Sequence, residues 1–247
     1  EILPHAGHRR DVSSPIMASV PDLERIGRYR VGGRLGSGAF ATVFLADDDV
    51  LESHVAIKVL ADNWAFVPDI RARFEQEGQI LRRADSDRLV RVLDIGELPD
   101  HRPYLVMNYA TGGTLADRLD HGPLQIDEAL RIAGEIARAV AVLHEVGVLH
   151  RDLKPSNVLF SSVGGRERIL VADLGLAKAI AHASGFTVTA GTPGYMAPEQ
   201  ADAGAGLDTR ADVYAMGALL YHMVTGRPPG GVPLIRRSRR PGIPARL

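Results

Sequence analysis

The sequence predicts an α+β fold in two lobes, a small β-rich N-lobe over about residues 28–109 and a mostly helical C-lobe over about 113–230. Three observations predict it. From Tyr29 to about Tyr109, short β-type runs surround a single helical segment. Gly112 and Gly113 then break the pattern just before Leu115, as a linker would. Beyond them, apolar residues recur every three or four positions in long runs, the period of amphipathic helices.

Each element follows from its own pattern. His54 to Leu60 alternates as a strand, so Ala56, Lys58 and Leu60 share one face while Val55, Ile57 and Val59 share the other. A helix begins near Pro68 and Asp69, with an apolar stripe through Ile70, Phe74 and Leu81. Glu77 falls on that stripe and Glu75 does not. After the glycine break, Ile126, Leu130, Ala133, Ala137, Val140 and Leu143 mark a long helix ending near Gly147, with Asp127 or Glu128 suited to its first turn. Asn157–Phe160 and Ile169–Ala172 flank Gly164 and Gly165 and predict a hairpin. A further helix, about Asp212 to Val224, aligns Val213, Met216, Leu220 and Val224. Residues 1–27 read as a disordered extension without a signal-peptide core, and Met17 reads as the natural start. Residues 231–247, with five arginines, three prolines and no apolar period, read as a disordered tail.

Composition narrows the chemistry. At 247 residues, 45% hydrophobic and 24% charged, the chain is neither collagen-like nor intrinsically disordered. A formal net charge of −1 gives no overall attraction for nucleic acid, and no nucleic-acid partner is expected. The absence of Cys excludes disulfides, thiolate nucleophiles and Cys-ligated metals, and fits a reducing compartment. Reactive groups must therefore be oxygens and nitrogens. The apolar run Met216–Val224 is far shorter than the ~20 residues of a membrane span, so no membrane segment is expected.

Three segments can carry chemistry. Gly36-Ser37-Gly38-Ala39-Phe40-Ala41-Thr42-Val43 lies between strand-like runs, which argues against a dinucleotide-binding turn and a Walker A loop. Alone it describes an ordinary glycine hairpin as well as a phosphate-covering loop. Lys58 on an apolar strand and Glu77 on an apolar stripe would each relieve the other's burial, as a structural ion pair or as part of a site. His150-Arg151-Asp152-Leu153-Lys154-Pro155-Ser156-Asn157 is followed, 16 residues after Asn157, by Asp173-Leu174-Gly175. Asn157 and Asp173 offer hard oxygens at the two ends of the hairpin, suited to Mg²⁺ on phosphates, while Asp152 can take a hydroxyl proton.

With Gly191-Thr192-Pro193-Gly194-Tyr195-Met196-Ala197-Pro198-Glu199 added, the chain resembles the eukaryotic-like protein kinase superfamily from about Tyr29 to Gly230, motifs in order. Lys154 and Thr192 resemble the Ser/Thr class, and Pro198-Glu199-Gln200 resembles bacterial members. The resemblance implies a bilobal protein-kinase-like fold, protein substrates, ATP as donor and Mg²⁺ or Mn²⁺ as cofactor. It implies that Gly36 and Gly38 cover ATP, that Lys58 paired to Glu77 contacts the α- and β-phosphates, and that Leu35, Val43, Ala56 and Leu159 enclose adenine. Backbone groups around Asn108, Tyr109 and Ala110 would bind the adenine edge, with Met107 guarding the pocket behind. Asp152 would accept the hydroxyl proton, Lys154 steady the γ-phosphate, Thr192 support both, and Asn157 and Asp173 hold the metal. Asp212 would brace the catalytic loop, and Leu81, His150 and Leu174 would stack into a spine. Arg151 beside Asp152 resembles kinases switched on by phosphorylation; Thr187 and Thr189 are the candidate sites, through autophosphorylation and self-association. The expected location is the cytoplasm, with full-length relatives tethered to membranes in some cases.

The chain departs from the family in places. Ala41 replaces the third loop glycine, Asn108 stands where Glu is common, and Leu174 replaces Phe. After Gly226-Arg227-Pro228-Pro229 the family continues through further helices, so the C-lobe reads as incomplete, C-terminally truncated. Each large side chain that this uncovers forgoes ~1.5–3 kcal/mol of burial, and Glu199 loses the Arg that partners it in the family, so poor solubility or a low melting temperature is expected. The alternative to a working kinase is an inactive remnant that binds nucleotide or a partner. A small-molecule phosphotransferase is disfavoured by the segment Gly191–Glu199.

Overall fold

The computed structural model describes residues 24–176, 192–201 and 206–230. Six strands form one antiparallel sheet: β1 (Arg25–Ile26), β2 (Tyr29–Ser37), β3 (Ala41–Asp48), β4 (Ser53–Leu60), β5 (Val92–Glu97) and β6 (Pro103–Asn108), ordered β1-β2-β3-β4-β6-β5. The alternation in β4 divides its neighbours as the sequence predicts. Val55, Ile57 and Val59 join Ile26, Tyr29, Phe44 and Tyr104 in a cluster on one face. Ala56 and Leu60 join the main core on the other, and Lys58 lies between them on that face. Ile26 is fully buried and pairs with Tyr29, so the sheet begins by Arg25, a little ahead of residue 28. A strand of two residues has no alternation from which to be read.

Helix α1 (Pro68–Ala84) starts with proline at its first turn and ends at a left-handed Asp85. It buries Ile70, Phe74, Glu77 and Leu81, the expected stripe, with Gly78 among them. A Cβ at Gly78 would come within 2.7 Å of the Leu105 side chain on β6, so glycine lets the Glu77 turn lie close against the sheet.

The second lobe opens with α2 (Leu115–Leu119), where Thr114 and Asp117 form a reciprocal capping box. The expected linker is docked, not free: Gly112 N–H donates to the Phe160 carbonyl at 2.7 Å and Phe160 N–H to the Gly113 carbonyl at 2.9 Å. Helix α3 (Ile126–Glu145) packs on α4 (Arg210–Thr225) and on a hairpin, β7 (Val158–Val163) and β8 (Arg166–Val171), which turns at Gly164 and Gly165. The hairpin also meets the first lobe, Val90 N–H bonding the Val171 carbonyl at 3.0 Å and Val171 N–H the Arg88 carbonyl at 2.9 Å.

Two helices of the second lobe depart from the expected stripes, α3 in part and α4 along its length. In α3 the buried residues are Ala129, Ile132, Ile136, Ala139, Val140 and Leu143, whereas Leu130 and Ala137 are exposed. In α4 they include Ala211, Ala215, Ala218, Leu219 and Met223, while Val213 is 55% exposed and Met216, Leu220 and Val224 are partly buried. In α4 the offset is one position, about 100° around a helix, while in α3 Val140 and Leu143 lie where expected. In α4 three of the buried residues are alanines, Ala211, Ala215 and Ala218, so the larger residues one position away dominate the apolar pattern.

Glu199 also differs from expectation. It is half-buried, not buried, and Arg210 at the start of α4 lies within electrostatic reach of it. Among the described residues, no helix is long and apolar enough to cross a membrane.

Candidate active site

The glycine-rich loop joins β2 to β3 and closes on a bond from Gly38 N–H to the Ala41 carbonyl, 2.9 Å. Beneath it lies a cavity of about 590 Å³ lined by Gly36, Gly38, Val43, Lys58 and Glu77 from the first lobe. Asp152, Lys154, Asn157 and Asp173 line it from the second. The structure thus brings together nine residues singled out in the sequence, from segments more than a hundred positions apart.

At its back, Lys58 Nζ donates to Glu77 Oε1 at 2.8 Å and to Asp173. Burial pulls the Lys58 ammonium down, but the carboxylates of Asp173 and Glu77 outweigh it and hold it above its ordinary pKa, so Lys58 is charged. Burial pushes Glu77 up to about 7, and the Lys58 charge and the Leu174 amide oppose that push. Phe74, which the motifs do not single out, also lines the cavity, its ring 5.6 Å from Lys58 Nζ.

The backbone of the segment His150–Asp152 is held by Asp212. This fully buried carboxylate accepts from His150 N–H at 2.8 Å, Arg151 N–H at 2.9 Å and bonds His144 Nε2 at 2.8 Å, which offsets the cost of its burial. Arg151 adopts φ +66°, a left-handed conformation that costs a non-glycine residue ~1–3 kcal/mol. Its carbonyl accepts from Gln200 Nε2 at 2.8 Å, so Arg151 is pinned on both sides. Gln200 has no role in the sequence reading, because its partner lies 49 residues away and no local spacing links them.

This bend presents Asp152, whose carboxylate is buried. Thr192 Oγ1 donates to Oδ1 at 3.2 Å, Asn157 Nδ2 to Oδ2 at 3.3 Å, and Lys154 Nζ lies 3.1 Å from Oδ2. Asn157 Nδ2 also donates to the Asp152 carbonyl at 2.8 Å, which leaves the amide oxygen as the end able to ligate a cation. Asp173, at φ +68°, supplies a carboxylate to the same cavity. One carboxylate and one amide oxygen make a hard donor set that fits Mg²⁺ or Mn²⁺.

His150 is buried beside Asp152, its Nε2 bonded to the Ala172 carbonyl at 3.1 Å, which fixes the Nε2–H tautomer. Burial holds its pKa below the ordinary 6.5. As pH falls below that value the unfolded chain binds a proton that the folded ring resists, so this stabilisation is present above pH 6.5 and lost below it. Glu77 acts in the opposite sense, its protonated form being favoured on folding as pH falls. Melting curves of the wild type and His150→Phe between about pH 7.5 and about pH 5 separate the two, since Glu77 is common to both proteins. The wild type should lose melting temperature more steeply with acid; parallel slopes would refute the assignment.

Of the remaining expected site residues, Leu174 also lines this cavity. Leu35 on β2 is exposed; Ala56 pairs with Met107 across β4 and β6; Leu159 is on β7. Asn108, Tyr109 and Ala110 end β6 and lead out of it. Asn108 Oδ1 accepts from Arg91 N–H at 2.7 Å, so the residue standing in place of Glu ties β6 to the chain before β5. Leu81 and Leu174 are both buried in the main core. Thr187 and Thr189 lie outside the described residues.

Comparison with known proteins gives one answer. The family model for the protein kinase domain matches residues 29–232. The chain is 39% identical over 215 residues, 85% of its length, to the serine/threonine-protein kinase pkn2 of Myxococcus xanthus, and covers 26% of that protein. It is 38% identical over 209 residues to the serine/threonine-protein kinase PknB of Mycobacterium leprae, covering 82% of this chain and 33% of that one. The chain therefore spans about a quarter to a third of the length of these curated relatives. Among solved structures, the PknI kinase domain of Mycobacterium tuberculosis matches with a TM-score of 0.67 and 31% identity, over 85% of this chain and 79% of that one.

Proposed function

The chain belongs to the protein kinase domain family, with its bilobal α+β fold, and from that membership we propose that it transfers the γ-phosphate of ATP to Ser and Thr hydroxyls of proteins. The observation that carries this is the buried Asp152 carboxylate, oriented by Thr192 and Asn157, with Lys154 3.1 Å away and Lys58 and Asp173 lining the same cavity. Phosphoryl transfer asks for little beyond this positioning and charge neutralisation.

In the proposed reaction the substrate oxygen forms a bond to the γ-phosphorus as the bond to the β-phosphate oxygen breaks and ADP departs. Asp152 takes the hydroxyl proton, and Thr192 and Asn157 keep its carboxylate aimed. Lys154 neutralises charge on the transferring group and Lys58, oriented by Glu77, that on the phosphates behind it. A Mg²⁺ or Mn²⁺ ion held by Asn157 and Asp173 would neutralise further phosphate oxygens. Leu35, Val43, Ala56, Leu159 and the stretch Met107–Ala110 are proposed for adenine. The protein substrate is proposed to approach through a second cavity of about 470 Å³, open beside Lys154, Thr192, Tyr195 and His222. ATP as donor suits a cytoplasmic location. Residues 28–230 form the proposed kinase unit, with Thr187 and Thr189 as autophosphorylation sites on self-association. Arg151 supports that regulation: its buried Nε has no hydrogen-bond partner among the described residues.

The full chain, incubated with γ-labelled ATP, Mg²⁺ and a generic protein substrate, should label Ser and Thr and lose the signal when the metal is chelated. Labelling that persists in chelator would contradict the metal roles. ATP binding by calorimetry without any transfer would instead support an inactive nucleotide-binding remnant.

A further inference from the structure

We propose that Trp64 is a positioning residue that latches the tip of the glycine-rich loop over the phosphate-binding cavity, an inference that rests on the ATP reading above. The loop needs an external tie. A Cβ at Gly36 would meet nothing within 4 Å, and at Gly38 only the Ala41 carbonyl, so the glycines themselves pack against little. The tip residues Ala39 and Phe40 nonetheless line the cavity, and Phe40 is only 6% exposed. Trp64 covers one face of that ring. Its indole stacks on Phe40 with ring centroids 5.0 Å apart and planes within 10°. Its Nε1–H donates to the Ala39 carbonyl at 2.8 Å. Beside it, Ala61 N–H donates to the Phe40 carbonyl at 2.8 Å, and Trp64 N–H turns back to the Ala61 carbonyl at 3.0 Å.

The latch sits on a 3₁₀ turn, Asp62–Trp64, that follows directly from β4. The strand that presents Lys58 to the phosphates therefore also carries the residue that holds the loop above them. Trp64 does not itself line the cavity, so its action runs through Phe40 and Ala39. It is also the chain's single tryptophan, which makes its emission a direct reporter of the latch.

The test uses the full chain with the Mg²⁺ complex of a non-hydrolysable ATP analogue as probe. Wild-type emission should change saturably with the analogue, at the affinity that calorimetry gives. Trp64→Ala should raise KM for ATP about 5- to 10-fold with kcat changed less than about 2-fold, the loss expected for one stack and one buried hydrogen bond. Trp64→Phe, which keeps the stack and loses the N–H, should fall between. An unchanged emission while calorimetry detects binding, or a Trp64→Ala variant that melts lower but keeps its KM, would overturn the latch and leave the ATP reading standing. Failure of the wild type to bind the analogue at all would overturn both. Should Trp64→Ala not fold, the wild-type emission and Trp64→Phe decide.

Discussion

Asp152→Asn is expected to lower kcat about 10³-fold while ATP affinity stays within about 2-fold, the range set by loss of a general base. The substitution keeps the shape of the side chain and an oxygen for the Thr192 hydroxyl, which now reaches Oδ1 at 3.2 Å. It removes the proton acceptor and the charge facing Lys154. The fold should survive, because the loop is braced by Asp212 and Gln200 through backbone atoms and not through the Asp152 carboxylate. Steady-state transfer assays beside calorimetry check this, and a variant retaining more than a tenth of wild-type kcat would remove Asp152 from its proposed role.

Lys58→Met is expected to differ in kind, lowering transfer about 10²- to 10³-fold and stability as well. The methionine fills much of the same space but leaves Glu77 buried without the ammonium 2.8 Å away. Breaking a buried pair from one side costs ~3–5 kcal/mol, about 10 °C in melting temperature for a chain of this size. Lys58→Met/Glu77→Gln should recover part of the stability, since the stranded charge is gone, and none of the activity. Equal melting temperatures for wild type and Lys58→Met would show that the pair contributes nothing to the fold.

Which parts of this were legible in the sequence follows from physical range. The inward placement of Lys58 and Glu77 rests on strand and helix periods, which act over a few residues, and both side chains lie where those periods put them. The buried face of α4 is hard to read because three of its residues, Ala211, Ala215 and Ala218, are only weakly marked as apolar. Trp64 on Phe40 and Gln200 on Arg151 pair residues 24 and 49 positions apart, and neither carries a local signal. The roles of Thr192 and Asp212 came only through family resemblance, because nothing in their own neighbourhoods points to a residue 40 or 62 positions away.

The paired bonds between Val171 and the Arg88–Val90 segment carry a last consequence. Helix α1, bearing Glu77, ends just ahead of that segment, and β8 ends just ahead of Asp173. The two stretches of chain that lead to these carboxylates are therefore joined by main-chain bonds, which side-chain substitutions along the seam leave in place, proline excepted. The amides of Val90 and Val171 should then exchange with solvent deuterium at matching rates, as a single unit that opens only when helix and hairpin part company.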